Sequence, residues 1–300
     1  MERRSQGDLD RVAADELTAD DVARLRAATG GRQVDPSASL FGPGSISWRV
    51  DREATLLLGG GRALLLQVAH PLIAAGVAAH SRFRAEPLAR LWRTLDLMLT
   101  IVFADARGAL AAVRDIERVH ARVRGRLAEA VGPFPAGTPY DAADPELLLW
   151  VHATLVDSAL VVYERFIGPL APPERARFWE ESKVTARLLG VPDPHLPRTL
   201  DDFARWFAGV LASDVLAIGT PGREVAASIL HPPLPVPLAP ATALARFATV
   251  GLLPPAVRAR YGLGWSATQE RALSALALVV RRTLPVVPAI VRDMPHARRA

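Results

Sequence analysis

The sequence predicts an all-α fold, and three observations carry that expectation. Half of the 300 residues are hydrophobic but only 6% are aromatic. Ala, Leu and Val therefore carry the apolar content, which favours packed helices over sheets. Apolar residues recur at helical spacing, and no alternating strand pattern is sustained. The third observation is one stretch, Asp144–Phe166, apolar at almost every position from Leu147 to Tyr163. Asp144 is suited to cap free backbone N–H groups, Pro145 suits the first helical position, and Glu146 complements the dipole. A helix apolar on most sides is a central one. A chain of this length can bury one large core, so we expect a single globular bundle of about eight to ten helices. Residues 1–40 read as a polar N-terminal arm, and 41–300 as the domain.

Taken in order, Thr18–Ala28 reads as a loose helix of the arm. The turn Phe41-Gly-Pro-Gly-Ser45 leads into a first core helix over Ile46–Leu58. Gly59-Gly60-Gly61 lacks a following Lys-Ser/Thr and a preceding strand, so it is no phosphate loop and instead allows close helix packing. A buried helix over Arg62–Ala79 is expected to break at His70-Pro71. Pro87–Phe103 and Arg107–Gly125 are the next helices, and the Pro/Gly loop Gly132–Tyr140 precedes the central one. Further helices are expected from Pro172 to about Leu189, from an Asp201-Asp202 cap through Leu216, and over Ala241–Gly251 and Ser266–Val280. Residues 230–240 are a proline-rich extended segment, and a proline-spaced tail closes the chain.

Composition excludes several functions. No cysteine is present, which removes disulfides, thiolate-ligated zinc or haem, and cysteine nucleophiles. The net charge of +5 comes from arginines, Lys183 being the sole lysine, without the aromatic interleaving of a nucleic-acid surface. The first residues lack an apolar export core. No uninterrupted apolar run of about eighteen residues suggests a transmembrane span. We therefore expect a cytoplasmic protein with no nucleic-acid partner, and leave a peripheral membrane contact open.

Two constellations are candidates for chemistry. The first is histidine. His152 lies in mid-helix among Leu148, Leu149 and Leu155, and a buried imidazole needs a partner: a side chain, a water or a metal. His70, His80 and His120 fall in or at the ends of other apolar helices, while His195, His231 and His296 sit in loops or the tail. No pair has the spacing of a helical zinc or di-iron site, so a non-haem site would have to assemble from separate helices. The absence of a Gly-x-Ser-x-Gly elbow argues against a serine hydrolase. The second constellation is Arg90, Arg93, Thr94, Leu97 and Ile101, which share one helix face at i, i+3, i+4, i+7 and i+11. That face is either one whose arginines reach solvent or a pocket wall running from guanidinium groups through a hydroxyl into hydrocarbon.

Arg90-x-x-Arg93-Thr94, with a histidine in a Leu-rich helix some sixty residues later, resembles the MpaB/rubber-oxygenase catalytic domain family. So do Gly42-Pro-Gly-Ser45, Ala69-His70-Pro71-Leu72, Val119-His120-Ala-Arg-Val-Arg-Gly125, Tyr163-Glu-Arg-Phe166 and Leu253-Pro-Pro-Ala-Val-Arg258 before Tyr261-Gly262. The resemblance spans about residues 41–295. It implies an all-helical fold with a buried b-type haem between the Arg90–Phe103 and Asp144–Phe166 helices. It also implies His152 as the iron ligand and Arg90, Arg93 and Thr94 as the distal group, with His120 and His70 as further candidates beside the haem. The latex-clearing branch has lysine where this chain has Arg93, and arginines flanking its histidine where this chain has Leu149 and Val156. Arginine stays charged and only donates hydrogen bonds. The expected activity is therefore an O₂-using oxygenase acting on a small apolar substrate rather than on rubber. The alternative is a helical binding protein for a lipid or isoprenoid. A third option is a metal hydrolase built on His70, His80 and His120.

Overall fold

The computed structural model describes residues 17–80, 87–232, 237 and 239–300. Side chains of 87–92 lie outside that description. The protein is all-α, 69% helical, with a single two-stranded sheet among the described residues.

The central element is α7 (Pro145–Phe166). It starts where the sequence says it should: Asp144 accepts from the Glu146 N–H at 2.8 Å, and Pro145 occupies the first turn. The helix is long and apolar enough to cross a membrane, but 67% of its most apolar window is buried inside the fold. It is the core helix of the bundle. Around it pack α3 (Gly60–Val68), a 3₁₀ turn (Ala54–Gly59), α8 (Pro172–Leu188) and α13 (Ala267–Thr283). The largest apolar cluster joins Trp150, Ala153, Val156 and Leu160 of α7 to Trp179, Phe203 and Phe207.

The three glycines before Arg62 do permit close approach. A Cβ on Gly59 would lie 2.8 Å from Val162 Cγ2, and one on Gly61 would lie 2.1 Å from Thr249 Oγ1. Thr249 belongs to α11 (Ala239–Leu252). Arg62, on α3, is buried yet fully engaged. It donates to the Leu252 carbonyl at 2.8 Å, to Ser158 Oγ at 2.7 Å and to Asp157 Oδ2 at 2.5 Å. Asp157 therefore serves Arg62 and not His152.

Several boundaries differ from the sequence reading. The first core helix is short: α2 (Ile46–Asp51) ends, and the 3₁₀ turn begins after Glu53. Glu53 is extended because it bridges to Asp293 and takes both ends of Arg292, at 2.7–3.1 Å. The break at His70-Pro71 is a full corner of 105° between the helical run through Val68 and α4 (Pro71–His80). α5 spans Pro87–Phe103 as expected, but α6 is Ala106–His120 and stops short of Gly125. There the chain forms β1 (Arg124–Arg126), antiparallel to β2 (Pro139–Asp141), with Gly125 opposite Tyr140. A Cβ at 125 would meet the Tyr140 hydroxyl at 2.4 Å, so only glycine lets the ring lie across the ribbon.

α9 (Leu200–Ala212) is capped by Thr199 in a box with Asp202, not by Asp201, and ends at an extended Ser213. α10 (Thr220–Leu230) was not anticipated; Pro221 in its first turn was the available signal. The arm's helix, α1 (Ala19–Ala28), is held rather than loose. Leu25 and Ala28 are buried, and Arg24 reaches Glu117 and the Leu188 carbonyl. Residues 233–236 and 238 of the proline-rich 230–240 segment lie outside the described residues. After α12 (Pro255–Arg260) and α13, the tail forms a 3₁₀ turn (Leu284–Val286) and two short helices, α14 (Ala289–Arg292) and α15 (Pro295–Arg299).

Candidate functional site

α7 carries His152 into the buried core. The side chain is 4% exposed, between the layers of α7 and α8, with its ring centroid 6.3 Å from that of Trp179. Neighbouring α7 positions are tied down. Trp150 donates to the Leu66 carbonyl at 3.1 Å, and Thr154 back-bonds to the Val151 carbonyl while accepting from Gln67. His152 is the exception: its Nε2 is buried and has no hydrogen-bond partner among the described residues. Burial alone pushes its imidazole down to about 4, so the ring is neutral at physiological pH. A neutral imidazole with a free, enclosed nitrogen is the form that ligates a metal.

The other histidines have found other work. His70 is also buried and also pushed down to about 4 by desolvation, opposed by the Asp144 charge. Its Nδ1, however, accepts from the Leu72 N–H at 3.3 Å at the start of α4, and its ring lies 5.4 Å from Phe134. His80 Nε2 meets the Arg124 carbonyl at 3.1 Å and the Tyr140 hydroxyl at 3.4 Å. His120 ends α6, with burial holding its imidazole below the ordinary value against Asp141 and Glu117. His296 pairs with Asp96 at 2.9 Å and His231 with Arg246 at 3.4 Å. Among the described residues no group of three or more His, Asp or Glu could hold a metal ion, so the three-histidine hydrolase has no assembled centre.

The α5 constellation is arranged differently from the histidine. Arg93 and Thr94 are exposed, Leu97 is half-buried and Ile101 is fully buried, while the Arg90 side chain lies outside the described residues. α5 packs on α6, α2 and α15, in a second apolar cluster with Trp48, Phe103 and Leu110. α2 is the element that touches both α5 and α7. The structure thus groups Leu99, Ile101 and Phe103 with one core, His152 with another, and leaves Arg93 and Thr94 on the outside.

Polar groups that the sequence reading passed over sit on α2. Glu181 of α8 accepts from the Ile46 and Ser47 N–H groups at 3.3 and 2.8 Å, serving as a remote cap. Ser47 Oγ is buried with no hydrogen-bond partner among the described residues. Burial and the nearby Glu181 push the Asp51 carboxyl up to about 7. The sequence signal was Ser47 and Asp51 in the short helix Ile46–Asp51, which also carries Arg49.

A helical bundle whose central helix carries a buried histidine, its Nε2 without a hydrogen-bond partner among the described residues, is compatible with a metal- or haem-using enzyme. The chain belongs to the family described as ER-bound oxygenase mpaB/B'/rubber oxygenase, catalytic domain, whose model matches residues 48–282. It is similar to uncharacterised proteins of Mycobacterium tuberculosis and Mycobacterium bovis. Each is 30% identical over 200 residues, covering 65% of this chain and 74% of the relative. No solved structure matches the chain. Its fold is accordingly that of an oxygenase catalytic domain.

Proposed function

We propose that this protein is a haem-dependent oxygenase in which His152 Nε2 is the iron ligand and a small apolar molecule is the substrate. The observation that carries the reading is the orphaned Nε2. Leaving a buried ring nitrogen unpaired costs about 1–3 kcal/mol, and every other polar side chain named above on α7 has avoided that cost. A b-type haem held by histidine supplies O₂ activation when bound. The chain's own part is to present a neutral lone pair in a fixed orientation and to keep water away from it. Trp150 and Thr154, tied to α3, fix the helix on either side of His152, and the Trp179 ring closes the α8 side. The apolar surroundings, free of flanking arginines at Leu149 and Val156, suit an apolar substrate. Arg93 and Thr94 are exposed, and the reading rests on His152.

The test is the visible spectrum of protein expressed with haem supply, beside His152→Ala. The reading expects a Soret band in the parent that is lost or strongly shifted in the variant. A colourless, iron-free parent would overturn it and leave a lipid- or isoprenoid-binding bundle. A band indifferent to His152→Ala would move the ligand elsewhere.

A further inference from the structure

The last turns of α13 and the segment after it present apolar side chains that no described residue covers. Val286 is 82% exposed, Ile290 70% and Val291 66%, with Leu278 and Val279 of α13 also exposed. Isolated exposed aliphatics need no explanation, but five within fourteen residues do. They are not loosely held. Leu284 and Met294 are buried on either side, and the Met294 N–H donates to the Arg52 carbonyl at 2.6 Å. Arg292 is locked onto buried Glu53. The loop is therefore pinned at both ends, with its aliphatic residues pointing out.

Charge selects the occupant. From Arg271 to Arg292 the sequence contains no Asp or Glu. Arg281 is engaged with the Glu164 and Arg165 carbonyls and Arg292 with Glu53. Arg282 lies exposed beside the apolar loop, and Arg298 and Arg299 are exposed on α15 after it. A second copy of the same face would bring like charges together. An anionic lipid surface instead accepts aliphatic side chains at its acyl boundary and neutralises cations at the headgroups.

We infer that the Leu278–Val291 surface, with exposed Arg282 within it and exposed Arg298 and Arg299 following it in the chain, docks this protein peripherally on anionic membranes. The inference is independent of the haem reading, because its test does not depend on any cofactor. The full chain is sedimented with vesicles of phosphatidylglycerol and phosphatidylcholine, and with phosphatidylcholine alone. Docking predicts binding to the anionic vesicles that is largely lost at ~1 M salt, where the Debye length falls to ~3 Å. Val286→Ser with Ile290→Ser and Val291→Ser should weaken partitioning by about tenfold or more. Arg282→Glu with Arg298→Glu should weaken it to a similar extent, with the melting temperature of either variant unchanged. Failure to bind anionic vesicles overturns the inference, as does equal binding to neutral vesicles. So does a concentration-dependent dimer that the apolar variant abolishes without altering sedimentation with lipid.

Discussion

His152 and His70 look alike by every bulk measure. Both are buried in the apolar core, and burial pushes both imidazoles down to about 4. They differ in what their ring nitrogens do. His70 sits at the 105° corner between α3 and α4, accepts a backbone N–H freed by the break, and rests on Phe134. His152 sits in unbroken helix, where no backbone donor is freed, and its Nε2 has no partner among the described residues. A buried histidine at a helix break therefore has a structural reason to exist, and one in mid-helix does not. That contrast, more than burial or a depressed pKa, makes His152 the functional candidate.

The contrast can be broken in several places. The largest effect expected is on the cofactor. In haem-supplemented protein, His152→Ala should abolish or strongly shift the Soret band, whereas His70→Asn, which keeps an acceptor for Leu72, should leave it in place. Equal loss in both would erase the distinction.

A smaller but still large effect is on the scaffold that holds α7. Arg62→Ala leaves the Asp157 carboxylate and two further acceptors without their buried partner. It should lower unfolding stability by about 3–5 kcal/mol in chemical denaturation. Gly61→Ala should cost about 1–3 kcal/mol, since its Cβ runs into Thr249. If either change were neutral, the close α3–α7–α11 packing would not be as described.

The pH dependence sharpens the comparison at the His70 end. His70 is depressed from 6.5 to about 4, so between those values the unfolded chain binds a proton that the folded chain refuses. Stability should fall as pH drops from about 6.5 towards 4, by at most about 3 kcal/mol from this residue. Asp51, raised to about 7, acts in the opposite sense over an overlapping window, so the difference between parent and variant is the quantity to read. His70→Asn should make the acid limb of the stability profile shallower, leaving the share of His152, which is depressed equally, and an unchanged limb would count against a buried, uncharged His70.

The smallest effect is expected at α5. Arg93→Ala should change stability by no more than about 1 kcal/mol, the range of an interaction made by an exposed charged side chain. A large loss of activity with unchanged stability would return Arg93 to the site.

The elements that the sequence made legible are those with strong local signals. Asp144-Pro145 marked the start of α7, Pro87 the start of α5, and His70-Pro71 the corner. What escaped it was set by distant partners. Gly125 ends up in a strand because Tyr140 needs its missing side chain. Glu53 breaks the helix expected over Ile46–Leu58 because Arg292, far along the chain, claims its carboxylate. The same limit governed the site. Position 152 was readable as a polar residue in a hydrocarbon helix, but helical spacing placed Arg93, Thr94 and Ile101 on one face without saying how much of that face would be covered.

The most direct measurement is chemical rescue. His152→Gly opens room beside Trp179 for a free imidazole. If His152 holds the iron, haem-supplied His152→Gly protein should lose the parent spectrum and regain it when imidazole is added, while His70→Gly should neither need nor respond to it. A His152→Gly variant that keeps the parent spectrum without imidazole would contradict the account.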